Sequence, residues 1–220
     1  MGLDRKTYTD QEPTSAVDKV RILDGLDKLK SDLEISGGRA AFVVHPFYRQ
    51  RDVDHGNFSE AETQAYYRYE ENLKVAVSKY RNLQLPLILF EEAEKMKSID
   101  KLLEKMGIES GRVFIVPTET DNSHPLGYES HILIYHLKAS GLHRAVVLGS
   151  NFWTRDLKQW ENPSDFFDGN SIPPIATKYK IGGCVGSLMN RLNSSGIYTT
   201  HGFAIFPNPE DRLRHPNSAF

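Results

Sequence analysis

Short apolar runs recur along the chain, and the segments between them have helical spacing. Four of these runs are four or five residues long and lack the alternation that marks a strand with one solvated face. Such runs predict strands that are buried on both faces, as in a parallel sheet covered by helices. The four runs are residues 40–44, 87–90, 113–116 and 145–148, and residues 198–206 predict a fifth strand.

Apolar residues at spacings of three and four predict amphipathic helices between the strands. Ser59 and Glu62 have the spacing of a capping box and open the longest of them, in which tyrosines share one face with Leu73 and Val77. We interpret that face as packed on the sheet. A capping box at 15–18, followed by apolar residues at helical spacing over 20–33, predicts the first helix of the chain. Further helices are predicted at 99–106, 126–140 and 185–192.

Strands that alternate with helices predict a three-layer, doubly wound α/β fold with a mainly parallel sheet of five strands or slightly more. Right-handed crossovers then give a flavodoxin-like order, 2-1-3-4-5, which we favour, or a Rossmann-like order. We expect one domain over residues 1–220. Within it we expect a loose N-terminus at 1–14, a long loop or lid at 152–174 and a polar tail at 208–220.

The charge balance and the cysteine count narrow the possible partners. Lysine and arginine total 27 against 29 acidic residues, so the net charge of -2 disfavours nonspecific nucleic-acid binding. No apolar stretch is long enough to span a bilayer, and a single cysteine excludes an internal disulfide. We therefore expect a cytoplasmic protein with a small-molecule substrate and no membrane partner. A homo-oligomer is compatible with the sequence. No motif specifies a cofactor or a metal.

The first predicted strand ends abruptly in a polar and basic segment. His45, Tyr48, Arg49 and Arg51 follow it, at the sheet edge where open parallel sheets bind their ligands. Arginine can clamp a phosphate or carboxylate, and histidine can exchange a proton near neutral pH. On this interpretation His45→Ala abolishes activity and leaves the thermal midpoint nearly unchanged. The alternative is that His45 only ends the strand and the arginines are solvated.

Two glutamates follow the second predicted strand. Glu91 or Glu92 could act as a general base or a metal ligand beside His45. Because strand side chains alternate between faces, we expect at most one of the two to face the crevice. Simple solvation of both carboxylates is the alternative.

Polar residues also follow the third and fourth predicted strands. Thr118 and Glu119 suit a hydroxylated ligand or a divalent metal, together with the later Asp121 and His124 of the same loop. Ordinary turn chemistry accounts for the same residues. Ser150 and Asn151 come after Gly149 and could position a ligand that approaches the backbone at that glycine.

Cys184 lies in a glycine-rich segment, GGCVG at 182–186. Its G-x-C-x-G pattern resembles the nucleophile elbow of cysteine-dependent α/β hydrolases and class I glutamine amidotransferases. The resemblance implies a nucleophilic thiol, for which His201 or His215 would be the base.

Two other interpretations of the same segment need no nucleophile. One is an anion-binding turn made by Lys178, Gly183 and Ser187 at the start of a helix. The other is a buried structural cysteine, which we favour because the preceding segment alternates with lysines as an edge strand does.

These patterns predict an α/β hydrolase or group transferase that acts on a small polar or anionic substrate. His45 would be the acid or base, Glu91 its carboxylate partner, and Arg49 or Arg51 the anion clamp. The alternative is a noncatalytic ligand-binding or protein-interaction module that uses the aromatic-rich loop 152–174.

Overall fold

A computed structural model describes residues 17–119, 123–154 and 181–207, in which seven strands alternate with six helices. The strands are β1 (Val17–Arg21), β2 (Arg39–Val44), β3 (Leu87–Glu92), β4 (Gly111–Thr118), β5 (Arg144–Thr154), β6 (Ile181–Gly182) and β7 (Tyr198–Pro207). The helices are α1 (Leu26–Ile35), α2 (Gln50–Asp54), α3 (Glu60–Asn82), α4 (Ile99–Lys105), α5 (Ser130–Ala139) and α6 (Gly183–Ser194).

Six of these strands form one parallel sheet in the order β1-β4-β3-β2-β5-β7, and β6 pairs antiparallel with the end of β5. The predicted doubly wound α/β fold is therefore confirmed. The five strands predicted from the sequence are β2, β3, β4, β5 and β7. Numbered 1 to 5 along the chain, they have the order 3-2-1-4-5. The flavodoxin-like order that we favoured is therefore wrong, and the Rossmann-like order is right. The chain adds β3 and then β4 on one side of β2 before it crosses to the other side with β5.

The sixth parallel strand, β1, takes residues that the sequence pattern assigned to a helix. Val17 to Arg21 pair in register with the first five residues of β4. Helical spacing of apolar residues is a weak local preference, and pairing with an open sheet edge overrides it here. The predicted first helix survives only as α1, after a 3-10 turn at Ile22–Gly25.

Helices cover both faces of the sheet. One face packs against α1, α5 and α6, and the other packs against α3 and α4. Tyr66 and Tyr69 are fully buried in the second layer, as predicted for the tyrosine face of α3. The predicted capping box is present: Ser59 N donates to Glu62 Oε2 at 2.9 Å, and Glu62 N donates to Ser59 Oγ at 3.3 Å.

The strand order changes direction beside the end of β2, which is the position where open parallel sheets bind their ligands. The chain leaves β2 towards β3 on one side, whereas β5 lies on its other side, so the connections diverge at this point. Gly149 of β5 lies against the last residue of β2, where a Cβ would be 2.0 Å from the Val44 carbonyl oxygen. Its φ of +134 is also unfavourable for other residues. Gly149 therefore allows the close approach of β2 and β5. The space beside this glycine, which we predicted to hold a ligand, is occupied by the β2 backbone instead.

Candidate functional site

His45 connects the carboxyl ends of several strands. It follows β2 with a left-handed φ of 43 and is fully buried. Its Nε2 is hydrogen-bonded to Thr118 Oγ1 of β4 at 2.9 Å, and its amide donates to the Phe90 carbonyl of β3 at 2.9 Å. Ser150 Oγ of β5 donates to the His45 carbonyl. The structure thus fixes both the backbone and the ring of this histidine.

The loop after His45 carries an aromatic ring between charged groups. The Tyr48 ring centroid lies 6.3 Å from that of His45, and the Arg49 guanidinium carbon lies 5.2 Å from the Tyr48 ring. Arg49 is only 5% exposed, and its Nη1 donates to Asp52 Oδ2 at 3.0 Å. The positive charge of Arg49 is therefore compensated by the carboxylate of Asp52 in the first turn of α2.

Glu91 and Glu92 share one ammonium group. Lys95 Nζ lies 2.7 Å from Glu92 Oε2 and 3.5 Å from Glu91 Oε1, and both carboxylates are buried. Lys95 also lies 5.8 Å from the Tyr48 ring centroid. Both carboxylates thus reach the same ammonium group, although strand alternation assigns them to opposite faces; which of the two would face a ligand stays a prediction. Both residues lie at the end of β3, where side chains from the two faces can turn towards the same 3-10 turn, Ala93–Ser98.

The Glu91 carboxyl group is electrostatically perturbed. Burial raises its pKa and the charge of Glu92 adds to the rise, while Lys95 and the Glu92 amide oppose it. Glu91 Oε1 accepts the Glu92 amide at 3.0 Å, but Oε2 makes no hydrogen bond within the described residues. Burial alone would lower the pKa of Lys95, but the two glutamates outweigh it and raise that pKa. Glu91 can thus exchange a proton closer to neutral pH than an ordinary glutamate can.

Glu91→Gln should change the pH dependence of stability. Because the folded-state pKa of Glu91 is raised, its stabilising effect is complete below the ordinary value of 4.5 and is lost as the pH rises through the folded-state pKa. Glutamine stays neutral, so the variant should gain stability relative to the wild type as the pH rises, by about 1.4 kcal/mol for each pKa unit of the rise.

The measurement is the free energy of unfolding of both proteins in urea, from about pH 4 to about pH 8. Lys95, Glu92 and Tyr69 are the titratable groups that interact with Glu91. Glu94→Gln, at an exposed neighbouring position, is the control and should show no such trend. A Glu91→Gln stability difference that does not depend on pH would contradict the raised pKa.

Three other predicted site residues differ in their placement. Thr118 is the last residue of β4, fully enclosed and bonded to His45. Glu119 is exposed, and its amide donates to the carbonyl of His124 rather than to the site. Arg51 is exposed on α2 and, among the described residues, its side chain joins none of the contacts around His45. The structure therefore gives no support to Arg51 or Glu119 as ligand contacts.

The remaining predicted residues lie on β5 and around α6. Asn151 belongs to β5, but its side chain lies outside the described residues, as does Lys178. Gly183 begins α6 with a φ of +71, and Ser187 is half-buried in the next turn. The Ser187 hydroxyl makes no hydrogen bond to a described residue, so the anion-binding turn stays a prediction.

The loop after β4 is tied to α6 by an arginine. Arg191 Nη2 donates to the Ser123 carbonyl at 2.8 Å, and its Nη1 lies 3.0 Å from His124 Nε2. Asp121 lies outside the described residues. A guanidinium against His124 disfavours a second cation there. Across residues 17–119, 123–154 and 181–207, no group of three histidine, cysteine, aspartate or glutamate side chains is placed to hold a metal ion.

Cys184 lies in the first turn of α6, within the apolar core that this helix shares with the sheet. It is 2% exposed and belongs to the same apolar cluster as Val185 and Leu188. Packing among apolar side chains is typical of a structural cysteine. The placement favours the structural interpretation over the nucleophile elbow.

Native protein should therefore react slowly with iodoacetamide at neutral pH, because the Cys184 thiol must first be exposed by local opening. The rate is measured by intact mass, in buffer and in urea. We expect labelling to accelerate strongly when urea unfolds the chain. Cys184→Ser should keep most of whatever function the protein has. Rapid stoichiometric alkylation with loss of function would instead identify a nucleophile.

Sequence reasoning missed two residues of this site. Lys95 lies four residues after Glu91, a spacing that brings them together only because a 3-10 turn follows β3 directly. Tyr69 was assigned to the packed face of α3, and its hydroxyl also donates to the Pro46 carbonyl at 2.8 Å. The bond from Tyr69 holds the loop after β2. For Lys95, the signal in the sequence was its charge four residues after that of Glu91, just beyond a predicted strand.

The fold and the site together define an α/β protein with a Rossmann-like sheet and a buried polar cluster at the carboxyl ends of β2 to β5. In comparisons with family models, curated proteins and solved structures, no match to this chain was found. None of the described helices is both long and apolar enough to cross a bilayer. The argument for function therefore rests on the residues of the cluster.

Proposed function

We propose that the protein is a hydrolase or group transferase that acts on a small polar substrate at the carboxyl edge of the sheet. The observation that carries this proposal is the buried Glu91, whose pKa is raised, within a cluster that also contains His45. Perturbed carboxyl groups at the ends of parallel strands are favoured positions for proton transfer.

Glu91 and His45 have different roles in this proposal. Glu91 exchanges the proton, since its Oε2 has no hydrogen-bond partner among the described residues. His45 is held by Thr118 and Ser150, so it orients the loop and supplies a second polar group. Tyr48 is half-buried beside the His45 ring and the charges of Arg49 and Lys95, and it forms the wall that a substrate would contact.

The charges of the cluster also bear on the substrate. Arg49 is compensated by Asp52, whereas Lys95 is 35% exposed and faces two carboxylates. An anionic group of the substrate would therefore meet Lys95 before Arg49. Because the carboxylates outnumber the cations here, we favour a polar substrate with at most one negative charge.

The proposal is tested with chromogenic esters, phosphates and glycosides as substrates. We expect turnover of one of these classes by the wild type and a loss of roughly 100-fold or more in Glu91→Gln, which removes the proton-exchanging group. Arg144→Gln is the matched control, because Arg144 is exposed at the opposite edge of the sheet, at the start of β5. Equal turnover by both variants would contradict the assignment.

The noncatalytic alternative depends on the loop at 152–174, most of which lies outside the described residues. No contact of the described part of the chain favours it. The convergence of His45, Glu91 and Ser150 at one sheet edge supports the enzyme instead.

A further inference from the structure

A second cavity lies at the opposite, amino-terminal edge of the sheet. It is an open depression of about 390 Å3 between the ends of α1 and α3 and the starts of β3 and β4. Leu85, Pro86 and Leu87 form its apolar part, and Ile35 lies on its rim with 65% of its surface exposed. The volume is within the range of small-molecule sites. Because it is remote from the cluster around Glu91, its occupancy does not depend on the proposed function.

Arg112, one of two arginines that line this cavity, is held in place by acidic residues. Its Nε donates to Asp18 at 3.0 Å, and its Nη1 donates to both Asp32 oxygens at 3.1 and 3.2 Å. Its Nη2 makes no hydrogen bond to a described residue, so part of a fixed guanidinium remains available. The hydrogen bond to Asp18 raises the pKa of Arg112 against the opposing effect of burial, and the contacts with Asp32 raise it further.

Arg81 is the second arginine, and no carboxylate of the described residues compensates its charge. Its Nη2 donates to the Ser110 carbonyl, while no carboxylate of the described residues lies within ion-pair distance. Its Nε and Nη1 make no hydrogen bonds to described residues either. Two arginines and one carboxylate, Asp32, line the cavity, so the net charge of its lining is +1. Asp18 does not line the cavity and lies 3.8 Å from Lys28 Nζ, which offsets its negative charge.

The backbone around the cavity is adapted to these side chains. Gln84 lines it and has a left-handed φ of 57 just after α3, at a helix-end position where glycine is favoured. Gly111 has a φ of +84, and a Cβ there would be 2.8 Å from Arg81 Nη2. Gln84 thus occupies a position whose backbone conformation favours glycine. Gly111 occupies a position where a side chain would displace Arg81.

We propose that this cavity binds a small monocarboxylate with an apolar body. The free guanidinium donors of Arg81 and Arg112 match the planar geometry of a carboxylate. One uncompensated positive charge suits a monoanion better than a dianionic phosphate. The apolar surface of Leu85, Pro86 and Leu87 suits an aliphatic or aromatic body.

The test is an amide NMR titration of the full chain with sodium benzoate, benzamide and inorganic phosphate. We expect saturable chemical-shift changes at residues of the cavity with benzoate. The affinity for benzamide and for phosphate should be lower than that for benzoate by roughly tenfold or more. No saturable shift at the cavity, or equal affinity for benzoate and benzamide, would overturn the proposal.

Three variants separate the site from a general charge effect. Arg81→Gln should weaken benzoate binding roughly tenfold or more. Ile35→Glu puts a negative charge on an exposed rim position, so it should also weaken binding while the fold is kept. Arg144→Gln removes an exposed arginine at the same sheet edge that does not line the cavity, and it should bind benzoate as the wild type does. Equal weakening by Arg81→Gln and Arg144→Gln would overturn the proposal.

Discussion

Gly149→Ala should destabilise the protein by about 4 kcal/mol or more. The new Cβ would lie 2.0 Å from the Val44 carbonyl oxygen, and the φ of +134 disfavours alanine in addition. Neither atom can move aside cheaply, because β2 and β5 are hydrogen-bonded neighbours in the centre of the sheet. Separation of these strands would also break the bond from Ser150 Oγ to the His45 carbonyl. Urea unfolding of wild type and variant measures the loss directly.

Gly141→Ala is the matched control for this prediction. Gly141 has a positive φ of +98, but an added Cβ would meet no atom within 4 Å. It should therefore cost only the backbone term, about 1–2 kcal/mol. If the two glycine variants lost the same stability, the close approach of β2 and β5 would be wrong.

His45→Ala should destabilise the protein by about 2 kcal/mol and should also abolish the proposed activity. The sequence, with His45 at a cleft wall, predicted an almost unchanged thermal midpoint. Full burial changes that expectation, because the substitution removes a buried ring and leaves Thr118 Oγ1 without its partner. The left-handed φ of 43 disfavours alanine further.

Two further variants separate these contributions. His45→Asn should lose less stability than His45→Ala, because asparagine tolerates a left-handed backbone. Thr118→Val keeps the imidazole and removes only its hydrogen-bond partner, so it should lose less than His45→Ala as well. Thermal and urea unfolding of the three proteins provide the comparison. Full stability of His45→Ala would mean that the ring is not packed as described.

The strands of this fold were predictable because burial on both faces produces uninterrupted apolar runs, as at 40–44 and 87–90. The edge strand β1 was not predictable, because Val20 lies among leucines at helical spacing. Val17 and Val20 are in a strand only because they pair with β4. The strand order was not fixed either. Right-handed crossovers are compatible with both doubly wound orders, and the choice depends on packing between distant segments.

The site was predictable in position and not in detail. Parallel strands share their direction, so polar residues that follow the first, second and fourth predicted strands had to meet at one edge. The ion pairs were hidden, because Arg49 pairs with Asp52 in the first turn of α2 and Lys95 reaches both glutamates only across a 3-10 turn. The positive φ that turns His45 inwards leaves no signature in a residue other than glycine.

The most direct test of the account is an NMR titration of the Glu91 side-chain carboxyl carbon in the native protein. The account predicts that Glu91 titrates above the ordinary pKa of a glutamate, because burial outweighs the attraction of Lys95. In Lys95→Met the titration should move higher still, since the opposing charge is gone. Titration of Glu91 at or below its ordinary pKa would contradict the claim that this cluster holds a carboxyl group prepared for proton transfer.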